Sequence, residues 1–213
     1  AKVIEGLCGA LLSRFNFKIS VPGLLFIDTP GHEAFTTLRK RGGSIADLAI
    51  LVVDINEGVM PQTAESINIL KDTKTPFVAA FNKIDRTMGW SSEEKCFLDN
   101  FPKQSTDVQG DFEKRFYEVI AQIEKFGYSL DRFDRVSDFK TTVAVVPMSS
   151  RTGEGIPELL ATLIGLAQNY LKEQLVKTNE SAGMVLEVKD VPGLGTVLDS
   201  IIYDGTIHKN DFL

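Results

Sequence analysis

The sequence predicts an α/β fold: a doubly wound, mostly parallel sheet followed by the start of an all-β module. Three observations predict it. Four short runs rich in Val, Ile and Leu each end in a polar or glycine-containing turn. Stretches with helical spacing lie between those runs. After Leu171 the text turns polar and then alternates in strand fashion, which marks a change of architecture.

Taken in order, Leu24 to Ile27 runs into DTPGH, and Leu48 to Val53 runs into DINEG. Phe77 to Phe81 leads to NKID, and Val143 to Val146 leads to PMSSRTGEG. Short, nearly continuous apolar runs fit strands covered on both faces, as in a parallel sheet. Pro61 to Leu70 opens with proline at a plausible first helical position. Between Arg86 and Thr142 a long insertion interrupts the pattern. Within it Phe112, Phe116, Val119, Ile120 and Ile123 recur at helical spacing and predict an amphipathic helix laid on the sheet, with a partner-binding helix as the alternative. Ile156 to Leu171 places Leu159, Leu160, Leu163, Leu166, Ala167 and Tyr170 on one stripe of a further helix. KEQLVKTNESAG reads as a linker, and MVLEVKD, PGLG and TVLDSIIYDGTI read as two strands joined by a glycine turn. The expected organisation is a first domain over 1–171, a linker over 172–180 and an incomplete β module over 181–213. In doubly wound sheets ligands bind beyond the carboxyl ends of the strands, where all four polar turns fall.

Composition narrows the function classes. The chain has 213 residues, 43% of them hydrophobic and 24% charged, the balance of an ordinary soluble globular protein. No apolar run approaches the ~18 residues of a membrane span, and the opening AKVIEGLCGALLSRF is not a signal peptide. Cys8 and Cys96 stand far apart, and with only two His a zinc cluster is not expected. Idle thiols in a reducing cytoplasm are the simpler reading. The net charge of −6 argues against a broad basic face gripping nucleic acid, although Arg39, Lys40 and Arg41 form a local basic patch.

Asp28-Thr29-Pro30-Gly31-His32 follows the first run. A carboxylate at a strand end can hold Mg²⁺ through water. A glycine three residues on lets its N–H approach a terminal phosphate with no Cβ in the way, and a following histidine can orient an attacking water. Alone, D-x-x-G also describes ordinary strand-to-loop turns. Asn82-Lys83-Ile84-Asp85 is more specific. A carboxylate accepts from both N1–H and the 2-amino group of guanine, a paired contact that adenine cannot offer. The asparagine can tie neighbouring loops together, and the lysine stem can lie over the base. Ser149-Ser150-Arg151 follows the next strand, where a backbone N–H can donate to guanine O6. Together, in this order and each ending a strand, the three predict a site for GTP and GDP with Mg²⁺.

No G-x-x-x-x-G-K-[ST] segment occurs in the chain, so no loop of that form cradles the α- and β-phosphates. The expectation is a domain that begins partway through and is inactive in hydrolysis by itself.

With a histidine after its glycine, DTPGHEAF resembles the translational GTPases. The block from PGLLFIDTPGH to ESINIL is similar to initiation factors that join ribosomal subunits, bacterial initiation factor 2 among them. VIEGLCG, NKIDR followed by Gly89-Trp90, and the insertion ending in RFDRVSDF resemble the archaeal and eukaryotic initiation factor 5B family. This resemblance implies a phosphate-binding-loop GTPase domain, ribosome-stimulated hydrolysis and a β-barrel second domain beginning near Ser181. It implies a cytoplasmic protein that meets both ribosomal subunits and rRNA, with initiator tRNA reached through later domains and other initiation factors as further partners. By position, Asp28 would contact the Mg²⁺ shell, Gly31 the γ-phosphate, and His32 would position the hydrolytic water. Asn82, Lys83 and Asp85 would read guanine, with Ser149, Ser150 and Arg151 beside them. Arg151 departs from the lysine or small apolar residue common there. His208, in YDGTIHKNDF, is distant from every such motif. The alternative is a GTPase-like binding module that serves as a ribosome or factor scaffold without hydrolysis.

Overall fold

A computed structural model describes Ile19, Val21 and residues 23–28, 46–170 and 181–209. Its main sheet contains β1 (Ala49–Asp54), β2 (Phe77–Asn82), β3 (Ser129–Arg132) and β4 (Thr142–Pro147), in the spatial order β1-β2-β4-β3. All three ladders are parallel, with Val52 opposite Ala80 and Ala80 opposite Val146. The central strand β2 buries Phe77 through Phe81 without a break, which is why it reads as a continuous apolar run. The predicted runs at 48–53, 77–81 and 143–146 are thus strands.

The run Leu24 to Ile27 is not. Its backbone is irregular, and Leu25 and Phe26 are 73% and 58% exposed. A strand needs a neighbour for its N–H and C=O groups, and among the described residues none pairs with the outer edge of β1. Conversely, the sequence reading missed β3. Four residues, SLDR, carry no distinctive apolar pattern, and the strand exists because β4 supplies a ladder and Leu130 reaches the core.

The crossovers follow their apolar stripes. Helix α1 (Pro61–Thr73) starts on its proline and buries Ile67 and Leu70. It runs past Leu70 to Lys74, which takes the left-handed conformation that ends the helix. Within the insertion, α2 (Phe97–Asn100) is a single turn, and α3 (Thr106–Glu124) is capped by Ser105, whose hydroxyl accepts from the Val108 N–H. Helix α3 buries Phe112, Phe116, Val119, Ile120 and Ile123, the five predicted positions. Phe116 meets Phe81 of β2 at 5.2 Å between ring centroids, so this face is core. Helix α4 (Ile156–Tyr170) buries Leu159, Leu163 and Ala167 as expected. It also buries Ile164, outside the predicted stripe, because Val21 covers a second face. The predicted linker over 172–180 lies outside the described residues, and beyond it β5 (Ala182–Val191) and β6 (Gly195–Asp204) form an antiparallel hairpin.

Two buried glutamates fasten the insertion to the turn after β4 and to α4. Trp90, Phe97, Phe101 and Phe112 stack into an aromatic cluster, capped by the Arg132 guanidinium over Phe97 and Phe101. Glu154 accepts from Trp90 Nε1 at 3.0 Å and Asn100 Nδ2 at 2.8 Å. Glu158 accepts from the Leu98 N–H at 3.2 Å, while its Oε2 is buried with no partner among the described residues. Burial pushes the Glu158 carboxyl up to about 7 from an ordinary 4.5. Because the folded state holds this proton more tightly than the unfolded chain, the group's stabilising contribution is complete below pH about 4.5 and is lost as pH rises through about 7. Glu158→Gln keeps an acceptor for Leu98 but cannot ionise. Urea midpoints followed over this range are expected to favour the variant increasingly, by up to about 3 kcal/mol at pH 8 relative to pH 4.5. Parallel curves for the two proteins would refute the assignment.

Candidate functional site

The carboxyl ends of β1, β2 and β4 carry three turns that meet. After β2, the side chain of Asn82 works as a splice. Its Oδ1 accepts from the Lys83 N–H at 2.8 Å and from the Ser150 N–H at 2.9 Å, and its Nδ2 donates to Ser150 Oγ at 3.2 Å. One carboxamide therefore joins NKID to SSR, 68 residues on. The hydroxyl of the fully buried Ser149 donates to Asp85 Oδ1 at 2.6 Å and accepts from the Thr152 N–H at 3.2 Å. This orients the half-buried Asp85 carboxylate at the rim of the sheet.

Lys83 is held in an unusual backbone state. Its φ is 67°, a left-handed conformation uncommon outside glycine. Around it, Asn56 Nδ2 donates to the Lys83 carbonyl at 3.3 Å, and Asp54 Oδ2 lies 2.6 Å from Nζ. Burial alone would raise the Asp54 carboxyl, but hydrogen bonds from Lys83 and Asn56 outweigh it and hold the group below the usual carboxylate value. The turn after β1 is itself braced. Gly58 adopts a φ of 73°, and a Cβ there would lie 2.6 Å from Gln122 Oε1, which accepts from the neighbouring Val59 N–H.

The SSRTGEG turn is anchored from beneath. Ser149 N–H donates to the Glu154 carbonyl, and Gly155 N–H donates to the Lys95 carbonyl, both at 2.9 Å. Burial raises the Glu154 carboxyl, an effect opposed by the donors from the insertion. Arg151 is exposed.

Of the predicted site residues, Asn82, Lys83, Asp85, Ser149 and Ser150 are thus in one hydrogen-bonded frame, with Arg151 at its edge. Asp28 is exposed at the end of the irregular 23–28 stretch. Gly31 and His32 lie outside the described residues. His208 is exposed beyond the end of β6. The sequence reading did not single out Asp54, Asn56, Arg115 and Glu154. Only Asp54 carried a signal, as an acidic residue closing an apolar run in the same manner as Asp28.

A model of the elongation factor Tu GTP binding domain matches residues 9–169. The chain belongs to this family of translational GTPases. A probable translation initiation factor IF-2 from Methanopyrus kandleri is 55% identical over 99% of the chain and 36% of its own length. Another from Staphylothermus marinus is 57% identical over 99% of the chain and 35% of its own length. Among solved structures, GDP-bound aIF5B from Aeropyrum pernix is similar with a TM-score of 0.89 and 50% identity, over 96% of the chain and 35% of that protein. The chain therefore spans about a third of the length of these relatives. The family implies binding of guanine nucleotides, and the curated relatives are initiation factors.

Proposed function

We propose that this chain forms the base-recognition half of a GTP site in an initiation factor that promotes ribosomal subunit joining and hydrolyses GTP on the ribosome. The observation that carries this reading is the splice of NKID to SSR through Asn82, with Asp85 oriented by Ser149. Asp85 accepts from guanine N1–H and the 2-amino group, the Lys83 stem lies along the base, and the Ser149-Ser150-Arg151 turn offers O6 a main-chain N–H other than the Ser150 N–H already donated to Asn82. These are contacts that adenine cannot satisfy. The Gly31 amide meets the γ-phosphate. Asp28 is an exposed hard oxygen donor, fitted to holding Mg²⁺ through water rather than directly. When bound, that ion neutralises phosphate charge. The phosphates further require a G-x-x-x-x-G-K-[ST] loop, absent from these residues, so hydrolysis by them alone is not expected. Ribosomal subunits, initiator tRNA and other initiation factors are the partners, and the cytoplasm is the compartment. Residues 1–171 act as the nucleotide domain, and 181–213 begin a β-barrel.

His32 is the hydrolytic residue in this reading, because it follows the glycine at the γ-phosphate and brings an imidazole to the in-line water. A group that orients the nucleophile acts mainly in the transition state. His32→Ala in the full-length protein is expected to cut ribosome-stimulated hydrolysis roughly a hundredfold while GTP affinity changes little. His208→Ala changes neither. Single-turnover hydrolysis with saturating ribosomes measures this, and a wild-type rate for His32→Ala would sink the role. It would favour a scaffold that binds without hydrolysis.

A further inference from the structure

We propose that Asp54, Asn56 and Arg115 form a clamp that positions Lys83 and so sets how long a guanine nucleotide stays bound. The inference rests on the reading of NKID as the base-recognition loop.

A lysine at a φ of 67° is strained and keeps that conformation only where its surroundings over-determine it. Here the residue is held at three points. Its N–H goes to Asn82, its carbonyl accepts from Asn56, and its ammonium sits 2.6 Å from Asp54. The last two holds come from the end of β1 and the turn that follows it, a different strand. That turn is pre-set. Asp54 Oδ1 accepts from both the N–H of Asn56, at 2.9 Å, and its Nδ2, at 3.3 Å. The remaining polar atom of the Asn56 side chain, Oδ1, accepts from Arg115 Nη1 of α3 at 2.7 Å. Every polar atom of the Asn56 side chain is thereby committed, and its orientation is fixed from two sides.

The charge pattern explains why an acidic residue suits this place. With its carboxyl held below the usual value, Asp54 is anionic at neutral pH. A lone ammonium on a four-carbon stem is mobile, and a lysine immobilised over the base surrenders that rotamer freedom. Pairing with Asp54 spends that entropy before the nucleotide arrives, so binding is less costly and release slower. An isolated exposed ion pair would contribute little. This one is reinforced by two Asn56 bonds on the same carboxylate and reaches into the insertion through Arg115. Asp54, Asn56 and Arg115 are therefore positioning residues that act through Lys83.

The test is release of a fluorescent GDP analogue from the full-length protein, followed by stopped flow. Asp54→Ala is expected to speed release about tenfold, and Arg115→Ala, at a half-buried position on α3, about threefold. In a Lys83→Ala background neither substitution should add further, which a merely structural role would not predict. Asp54→Asn, which keeps the shape and the acceptor for Asn56 but loses the charge, should fall between wild type and Asp54→Ala. Unchanged or slower release in Arg115→Ala and in Asp54→Asn overturns the clamp, as does full additivity with Lys83→Ala. The Arg115 arm remains decisive if Asp54→Ala fails to fold. Asp85→Asn separates the two levels. Should it leave the preference for GDP over XDP unaltered, the base-recognition reading itself fails. Should it switch that preference while Asp54 and Arg115 have no effect on release, only the clamp is wrong.

Discussion

Asp85→Asn is expected to turn a guanine site into one that prefers xanthine nucleotides. In the proposed site the carboxylate accepts two hydrogen bonds from guanine, at N1–H and the 2-amino group, and xanthine carries a carbonyl where that amine stands. An asparagine presents a donor at the same place, so it faces an amine with an N–H against guanine and a carbonyl against xanthine. The structure bears on the size of the effect. Ser149 Oγ fixes Asp85 Oδ1 at 2.6 Å, and Asn82 locks the flanking turn, so the carboxylate cannot swing aside to relieve a mismatch. Sites built to receive a particular donor pair discriminate by roughly 10³-fold or more. Competition between GTP and XTP on the full-length protein reads this directly. An unchanged order of preference would remove Asp85 from base recognition.

Gly155→Ala is expected to be the most damaging single methyl in the described structure. A Cβ there would lie 2.1 Å from the Pro147 carbonyl oxygen and 2.8 Å from Met148 Cα, both backbone atoms. Neither atom can retreat cheaply, since Met148 N–H donates to the Phe81 carbonyl and its own carbonyl accepts from Ile84 N–H. Movement there would part β4 from β2 at the point where the NKID and SSR turns leave the sheet. The φ of 78° adds left-handed strain for any side chain. The combined cost is about 4 kcal/mol or more, the range reserved for backbone clashes and special dihedrals. Gly153→Ala, in the same turn at a φ of 81° but with nothing nearer than Lys95 Nζ at 3.6 Å, isolates the dihedral contribution. It should cost only about 1 kcal/mol. Urea denaturation of both variants decides the matter, and equal losses would mean that packing around Gly155 is not what demands glycine.

What the sequence by itself determined was the part written in local patterns. Continuous apolar runs are legible because a strand buried on both faces needs every position apolar, as β2 shows from Phe77 to Phe81. The stripe on α3 is legible because a helix presents one face per 3.6 residues, and all five predicted positions are buried. The NKID and SSR turns were legible because the hydrogen bonding to guanine proposed for them restricts residue type at fixed spacing. Tertiary structure decided the rest. Leu24 to Ile27 has the composition of a strand but no ladder in the described structure, whereas SLDR has little strand character and is one, because pairing is supplied by neighbours. Likewise, no local pattern announces that Glu154 and Glu158 are buried, or that Asn56 and Arg115, 59 residues apart, meet around Lys83. Polar groups are buried only where distant partners satisfy them, and that requirement is imposed by the folded chain rather than by any window of its text.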